Sequence, residues 1–171
     1  MVPTNLEIEA KALQSDGKIV AVGFFVTEDD SSPFVVARFH PDGKLDSSFH
    51  GTGIVTTKVG SCDDHAAGVG VQSDGKILVV GTSYNLGQAS EITVLRYDSY
   101  GNLDPEFGDL GIVQMNLSSG YDQGHALVLQ DDGTVVVVTE AGAPRQWGIL
   151  SLGFDGRRVE SLVAPVPTMA W

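Results

Sequence analysis

Ala12-Leu13-Gln14-Ser15-Asp16-Gly17-Lys18-Ile19-Val20-Ala21-Val22-Gly23 decides the fold, because it comes back. The second copy is Gly70-Val71-Gln72-Ser73-Asp74-Gly75-Lys76-Ile77-Leu78-Val79-Val80-Gly81. A worn third copy is Leu127-Val128-Leu129-Gln130-Asp131-Asp132-Gly133-Thr134-Val135-Val136-Val137-Val138. Asp16 to Asp74 and Asp74 to Asp132 are each 58 residues. A fixed period of this size marks a repeat architecture, in which stacked units bury a continuous core that no single unit could.

Within the first copy, Leu6 to Leu13 begins by alternating apolar and polar, which reads as a strand. Asp16-Gly17 reads as a two-residue hairpin turn, with positive φ angles supplied by the pair. Ile19 to Val22 is apolar on both sides and predicts a strand covered on both faces. Phe34 to Phe39 is a third strand, Asp42-Gly43 a second turn, and Ile54 to Thr57 a fourth strand. The second copy repeats each step: Ala66 to Val71, Ile77 to Val80, Ile92 to Tyr97 and Gly111 to Met115. In the third copy the second turn, Phe154-Asp155-Gly156, arrives three residues early, and the Leu-Asp…Phe-Gly stretch is lost. Val159 to Val163 replaces the fourth strand, and Ala164-Pro165-Val166-Pro167 ends it, since proline cannot donate to a ladder. No stretch reads as a helix.

Four short strands per unit, glycine turns and two-sided apolar middle strands predict an all-β chain, a β-propeller of three four-stranded blades. A β-solenoid or sandwich is the alternative. The units are approximately 6–59, 63–117 and 121–163, with 164–171 as a tail.

The run Leu-Gln-Ser-Asp-Gly-Lys-Ile-Val (13–20), then Val-Ala-Arg-Phe-His-Pro-Asp-Gly-Lys-Leu-Asp-Ser-Ser-Phe (36–49), then Gly-Ile-Val-Thr-Thr (53–57), resembles the delta-60 repeat of bacterial proteins. The resemblance is close over 10–59 and 68–115 and loose over 126–156. It implies a β-propeller-like fold, and it implies no catalytic motif, because fold does not give function.

Composition narrows the partners. A formal net charge of −12 over 171 residues repels nucleic acid and anionic membranes. Cys62 is the single cysteine, so neither an internal disulfide nor a thiolate metal cage can form. No apolar run approaches the roughly 18 residues of a spanning helix. The start lacks the basic and apolar segments of a signal peptide, and the compartment stays open.

Three blades are fewer than the roughly four to eight that close a ring. The expectation is a homodimer joined through its end blades, two chains making six blades by two-fold symmetry. A fragment of a longer array and a compact monomer are the alternatives.

The small residues Ala66, Ala67, Gly68 and Gly70 place the first strand of each unit nearest the axis. Residues at the start of these strands would ring the axial mouth, Asn5 among them. Glu7, Glu9, Asp64, His65, Asp122 and His125 are the candidate metal ligands there. Carboxylates and imidazoles suit Zn²⁺ or Mn²⁺, and carboxylates alone suit Ca²⁺. The competing reading makes them solvated strand-entry residues, with aspartates capping turns. Trp147 and Trp171 offer ring faces to a sugar or another apolar-faced ligand, or belong to core and tail; Trp147 is the ligand-binding candidate. Arg38 and Arg96 share one repeat position, which argues for a structural pairing. The leading expectation is a binding and self-assembly module for a small-molecule ligand or partner. The alternative is a metal-dependent hydrolase, lactonase- or phosphotriesterase-like, with its metal at the axis.

Overall fold

The computed structural model describes residues 6–28, 31–142 and 144–163, the last four by backbone alone. Twelve strands form three antiparallel four-stranded sheets, and no helix occurs among the described residues. Blade 1 is β1 (Glu7–Leu13), β2 (Ile19–Phe24), β3 (Phe34–Phe39) and β4 (Ile54–Thr57). Blade 2 is β5 (Asp64–Val71), β6 (Ile77–Ser83), β7 (Glu91–Tyr97) and β8 (Ile112–Met115). Blade 3 is β9 (Asp122–Leu129), β10 (Val135–Ala141), β11 (Gln146–Leu152) and β12 (Arg158–Val163). In every blade the strands follow chain order across the sheet, the meander of a propeller blade. Asn5, the proline stretch from Ala164 and Trp171 lie outside the described residues.

The turns that carry the repeat differ from the sequence expectation in one detail. Only the glycine of each Asp-Gly pair takes a positive φ, for example +83° at Gly17. Gly17 N donates to the Gln14 carbonyl and Gln14 N to the Lys18 carbonyl, which makes a three-residue loop. The aspartate acts through its side chain instead, accepting from Lys18 N at 3.1 Å, and Asp42, Asp74 and Asp132 do likewise.

Each blade has a front facing the preceding blade and a back facing the next. Val20, Val22, Phe34 and Val36 on the back of blade 1 pack with Ile77, Val79, Leu95 and Tyr97 on the front of blade 2. Leu78, Val80, Ile92 and Val94 on the back of blade 2 pack with Val135, Val137, Leu150 and Leu152 on the front of blade 3. The innermost strand seats each joint: β5 lies against β1, β2 and β3, and β9 against β5, β6 and β7. Close approach there requires Gly81, where a Cβ would overlap the His65 carbonyl and meet Phe34 Cε1 at 2.7 Å.

A clasp closes each joint at the outer strands. Arg38 Nε donates to Asp46 at 2.8 Å, Lys18 lies 3.2 Å from the same carboxylate, and Phe49 lies under the guanidinium. The other arm of Arg38 donates to the Ser99 carbonyl of blade 2. Arg96 repeats this with Asp104 at 2.7 Å, Lys76, Phe107 and the Phe154 carbonyl of blade 3. The pairing expected for the two arginines is therefore what they do. The clasp depresses the acids. Burial would raise Asp46, but hydrogen bonds from Ser48 and Lys18 and the charge of Arg38 carry it well below the usual carboxylate range. Asp104 shifts the same way against its burial, through Lys76, Glu106 N and Arg96.

Blade 3 departs from the pattern. The back positions buried in blades 1 and 2 are open here: Trp147 and Ile149 are each 47% exposed and Val128 is 60% exposed. Val136 and Val138 are half-buried, so the four-valine strand is covered on one face only. The expectation of two-sided cover holds for β2 and β6 and fails for β10, because within the described chain no blade follows the third. Ser151 stands at the arginine position, so the clasp is absent as well.

Candidate functional site

Each inner strand carries one extra residue at the same place. The pairing slips between Ile8 and Ala10, between Ala66 and Gly68, and in β9 opposite Val138 and Thr139. The bulged residues are Glu9, Ala67 and His125, and a bulge re-aims its side chain. Glu9 and His125, together with the regularly paired His65, line one axial cavity of about 230 Å³ along with Phe24, Thr82 and Tyr84. His65 stacks on Phe24 at 4.5 Å and meets the Tyr84 ring edge-on.

The remaining metal candidates go elsewhere. Asp64 is fully buried and accepts from Val59 N and Gly60 N, both at 2.8 Å. Asp122 is fully buried and accepts from Ser118 N at 3.0 Å and Ser118 Oγ at 2.7 Å. Both cap the loop that enters an inner strand. Glu7 is exposed opposite Phe24 on β2. Among the described residues no three His, Cys, Asp or Glu side chains converge where a metal ion could be held. The Zn²⁺, Mn²⁺ or Ca²⁺ set read from the sequence is thus divided between an axial cavity (Glu9, His65, His125), two loop caps (Asp64, Asp122) and an exposed strand position (Glu7).

The larger constellation near the axis belongs to blade 3 and was not read from the sequence, Trp147 and His125 apart. Gln123, Glu140 and Trp147 stand opposite one another across β9, β10 and β11, in one row. The same row is His65, Thr82 and Ile92 in blade 2. There it is covered: Thr82 accepts from Gly124 N at 3.3 Å and Ile92 is fully buried. In blade 3 nothing described covers it. Glu140 is nearly buried in its own sheet, and its carboxylate lies 3.2 Å from Arg145 Nε and 3.3 Å from His125 Nε2. The His125 nitrogen is buried but misaligned for a hydrogen bond, and its ring tilts against Trp147 with centroids 4.9 Å apart. Gln123 Nε2 donates to Tyr84 OH at 3.0 Å.

A cavity of about 430 Å³ opens beside this row, lined by Tyr121, Gln123, Glu140, Gly142, Pro144 and Arg145. Its origin is in the chain. Gly142 N donates to the Tyr121 carbonyl, as Tyr84 N donates to the Asp63 carbonyl in blade 2. Gly142 therefore occupies the place of Tyr84, and the loop that follows is three residues shorter. A missing phenol ring and a contracted loop leave the space. The three-residue contraction is the signal by which sequence reading could have found it. A further cleft of about 510 Å³ lies between the hairpin turns of blades 1 and 2, where Asp16 and Asp74 are committed to turn bonds.

Residues 14–49 and 72–107 match the model of a β-propeller domain of unknown function, DUF5122. Together with the three sheets, this defines the chain as a β-propeller repeat protein. No curated protein matches it. Among solved structures it is similar to a fucose lectin from Kordia zhangzhouensis in complex with methyl-fucoside, at TM-score 0.48 and 11% identity, over 91% of this chain and 96% of that one. It is similar to a protein of unknown function from Bacteroides caccae at TM-score 0.43 and 12% identity, over 95% and 62% of the two chains. It is also similar to a catalytically inactive virginiamycin B lyase from Staphylococcus aureus at TM-score 0.38 and 10% identity, over 98% and 73%.

Proposed function

We propose that this chain is a binding module of the delta-60 repeat kind, and that it assembles with a second copy through the uncovered back of blade 3. One observation carries the reading. Positions filled by Val22, Phe34 and Val36 in blade 1 and by Val80, Ile92 and Val94 in blade 2 are fully buried by the following blade. Of their counterparts in blade 3, Trp147 and Ile149 are each 47% exposed and Val138 is half-buried. At the other end, among the described residues no blade precedes β1, and on the front of blade 1 Ile8 and Leu13 are 47% and 72% exposed while Ala21, Val35 and Ala37 are buried. Internal joints are seated by the inner strand of the next blade, so β1 of a second copy is the matching occupant. Two such joints related by a two-fold axis close six blades. With Ser151 in place of arginine, this joint lacks the clasp of the internal ones and is weaker than they are.

Solution mass over a dilution series tests it. The expected result is twice 18.0 kDa at high concentration, falling to one chain on dilution. Ile149→Glu and Leu13→Glu should each hold the single-chain mass without loss of fold. A single-chain mass at every concentration would overturn the proposal, and so would growth beyond two copies.

A further inference from the structure

We infer that the cavity of blade 3 between Tyr121 and Arg145 binds a neutral, hydroxyl-rich ring of pyranose size. The site is built from blade 3 with Tyr84 behind it and stands open in the single chain; a second copy seated on the back of blade 3 would cover its Gln123–Glu140–Trp147 row as β9 covers the counterpart row in blade 2.

The lining selects the ligand by charge first. Glu140 is a nearly buried carboxylate, and a lone buried carboxylate would call for a cation. Here Arg145 Nε stands 3.2 Å from one oxygen and His125 Nε2 3.3 Å from the other. The acid is already matched, so an ammonium ligand would have to displace the guanidinium. An anion meets that same carboxylate and a chain of net charge −12. A neutral molecule meets neither obstacle.

Hydrogen bonding comes second. Each oxygen of Glu140 can accept further bonds from hydroxyl donors, and a carboxylate acceptor makes the stronger kind of bond. Arg145 is 75% exposed in its side chain and keeps donors free toward the cavity. The Gln123 amide donates to Tyr84 OH, which leaves its carbonyl to accept. Acceptors and donors thus alternate around one small space, as vicinal hydroxyls require.

Stacking comes third. Tyr121 is 67% exposed at one side of the cavity. Trp147 lies on the same row as Glu140, outside the lining, and its half-open ring reports on the site by fluorescence. An aromatic face beside polar groups suits a ring with an apolar C–H face and polar edge. The volume, about 430 Å³, lies in the range of small-molecule pockets. In blade 2 the place of Gly142 is taken by Tyr84 and the loop that follows is three residues longer.

The experiment is saturation-transfer NMR on the full chain with methyl pyranosides of the gluco, galacto, manno and 6-deoxy series. Tetramethylammonium and acetate serve as charged comparisons. Tryptophan fluorescence follows the same titrations. At least one pyranoside should saturate, with a dissociation constant of about 1 mM for so few ligand atoms. Arg145→Ala and Tyr121→Ala alter exposed side chains, leave the fold intact, and should each weaken binding about tenfold, the loss of one good polar or stacking contact. Glu140→Gln should weaken it further, and Trp147→Phe should abolish the fluorescence response while binding persists by NMR. Absence of saturation by every pyranoside overturns the inference. Preference for tetramethylammonium or acetate, or binding unchanged in Arg145→Ala and Tyr121→Ala, overturns it equally. The titrations are run on Ile149→Glu at the single-chain mass, which keeps the face open, so a chain that is monomeric throughout and binds pyranosides would refute assembly and keep the site.

Discussion

Arg38 Nη1 donates to the Ser99 carbonyl at 2.7 Å, while its Nε holds Asp46 at 2.8 Å. One side chain therefore reads the carboxylate of its own blade and the backbone of the next. Arg38→Met should destabilise the chain by about 3 kcal/mol, because Asp46 is left buried with Lys18 as its remaining cation. Urea unfolding measures the loss. Arg38→Met combined with Asp46→Leu should lose less than the single change, since no charge is then stranded.

Both clasp acids are ionised more easily in the folded chain than in the unfolded one. Their stabilisation is thus complete above the unfolded carboxylate value of about 4 and is lost as pH falls through and below it. Denaturation followed from neutral pH to acid should show stability falling below about pH 4. Asp46→Asn should start from lower stability at neutral pH and fall less steeply in acid. An equally steep acid limb in that variant would show that other carboxylates govern it.

Tyr97 is fully buried and bonds Thr57 through its hydroxyl at 2.6 Å. Burial pushes its phenol well above the ordinary tyrosine range. In an ultraviolet titration of the folded chain, Tyr97 should stay neutral at the pH where an exposed tyrosine such as Tyr121 ionises. Tyr97→Phe should cost about 1 kcal/mol, the worth of one buried hydrogen bond.

Gly81 and Gly43 should respond differently to alanine. At Gly81 the new Cβ overlaps backbone, so Gly81→Ala should cost about 3 kcal/mol. At Gly43 nothing lies within 4 Å, and only its φ of +83° resists; Gly43→Ala should cost about 1 kcal/mol. Thermal melts of the two variants compare them directly.

The blade count and meander were legible because glycine turns and valine runs recur at a constant spacing. Arg38 and Arg96 were legible for the same reason. The axial set was legible only in part. Asp64 and Asp122 look alike as loop caps and as ligands, and only the backbone donors around them decide between the two roles. Glu140 and Arg145 escaped because they replace Thr82 and Ser90, residues that mark a covered joint, and the sequence does not say that the joint is open. Val135 to Val138 misled for a related reason: four valines read the same whether a neighbour lies on one face or on both. Trp147 reads from the sequence both as core and as ligand face; in the structure its ring is 47% exposed on the open row.

The arginine fastening points in one direction. Each of the two arginines grips the following blade, and among the described residues neither of them reaches back to a preceding one. Shortening the protein from its C-terminal end would strand Arg96, whereas shortening it from its N-terminal end strands no guanidinium. A chain cut after blade 2 is therefore expected to lose the partner of Arg96 in blade 3, whereas a chain that starts at blade 2 keeps that contact whole.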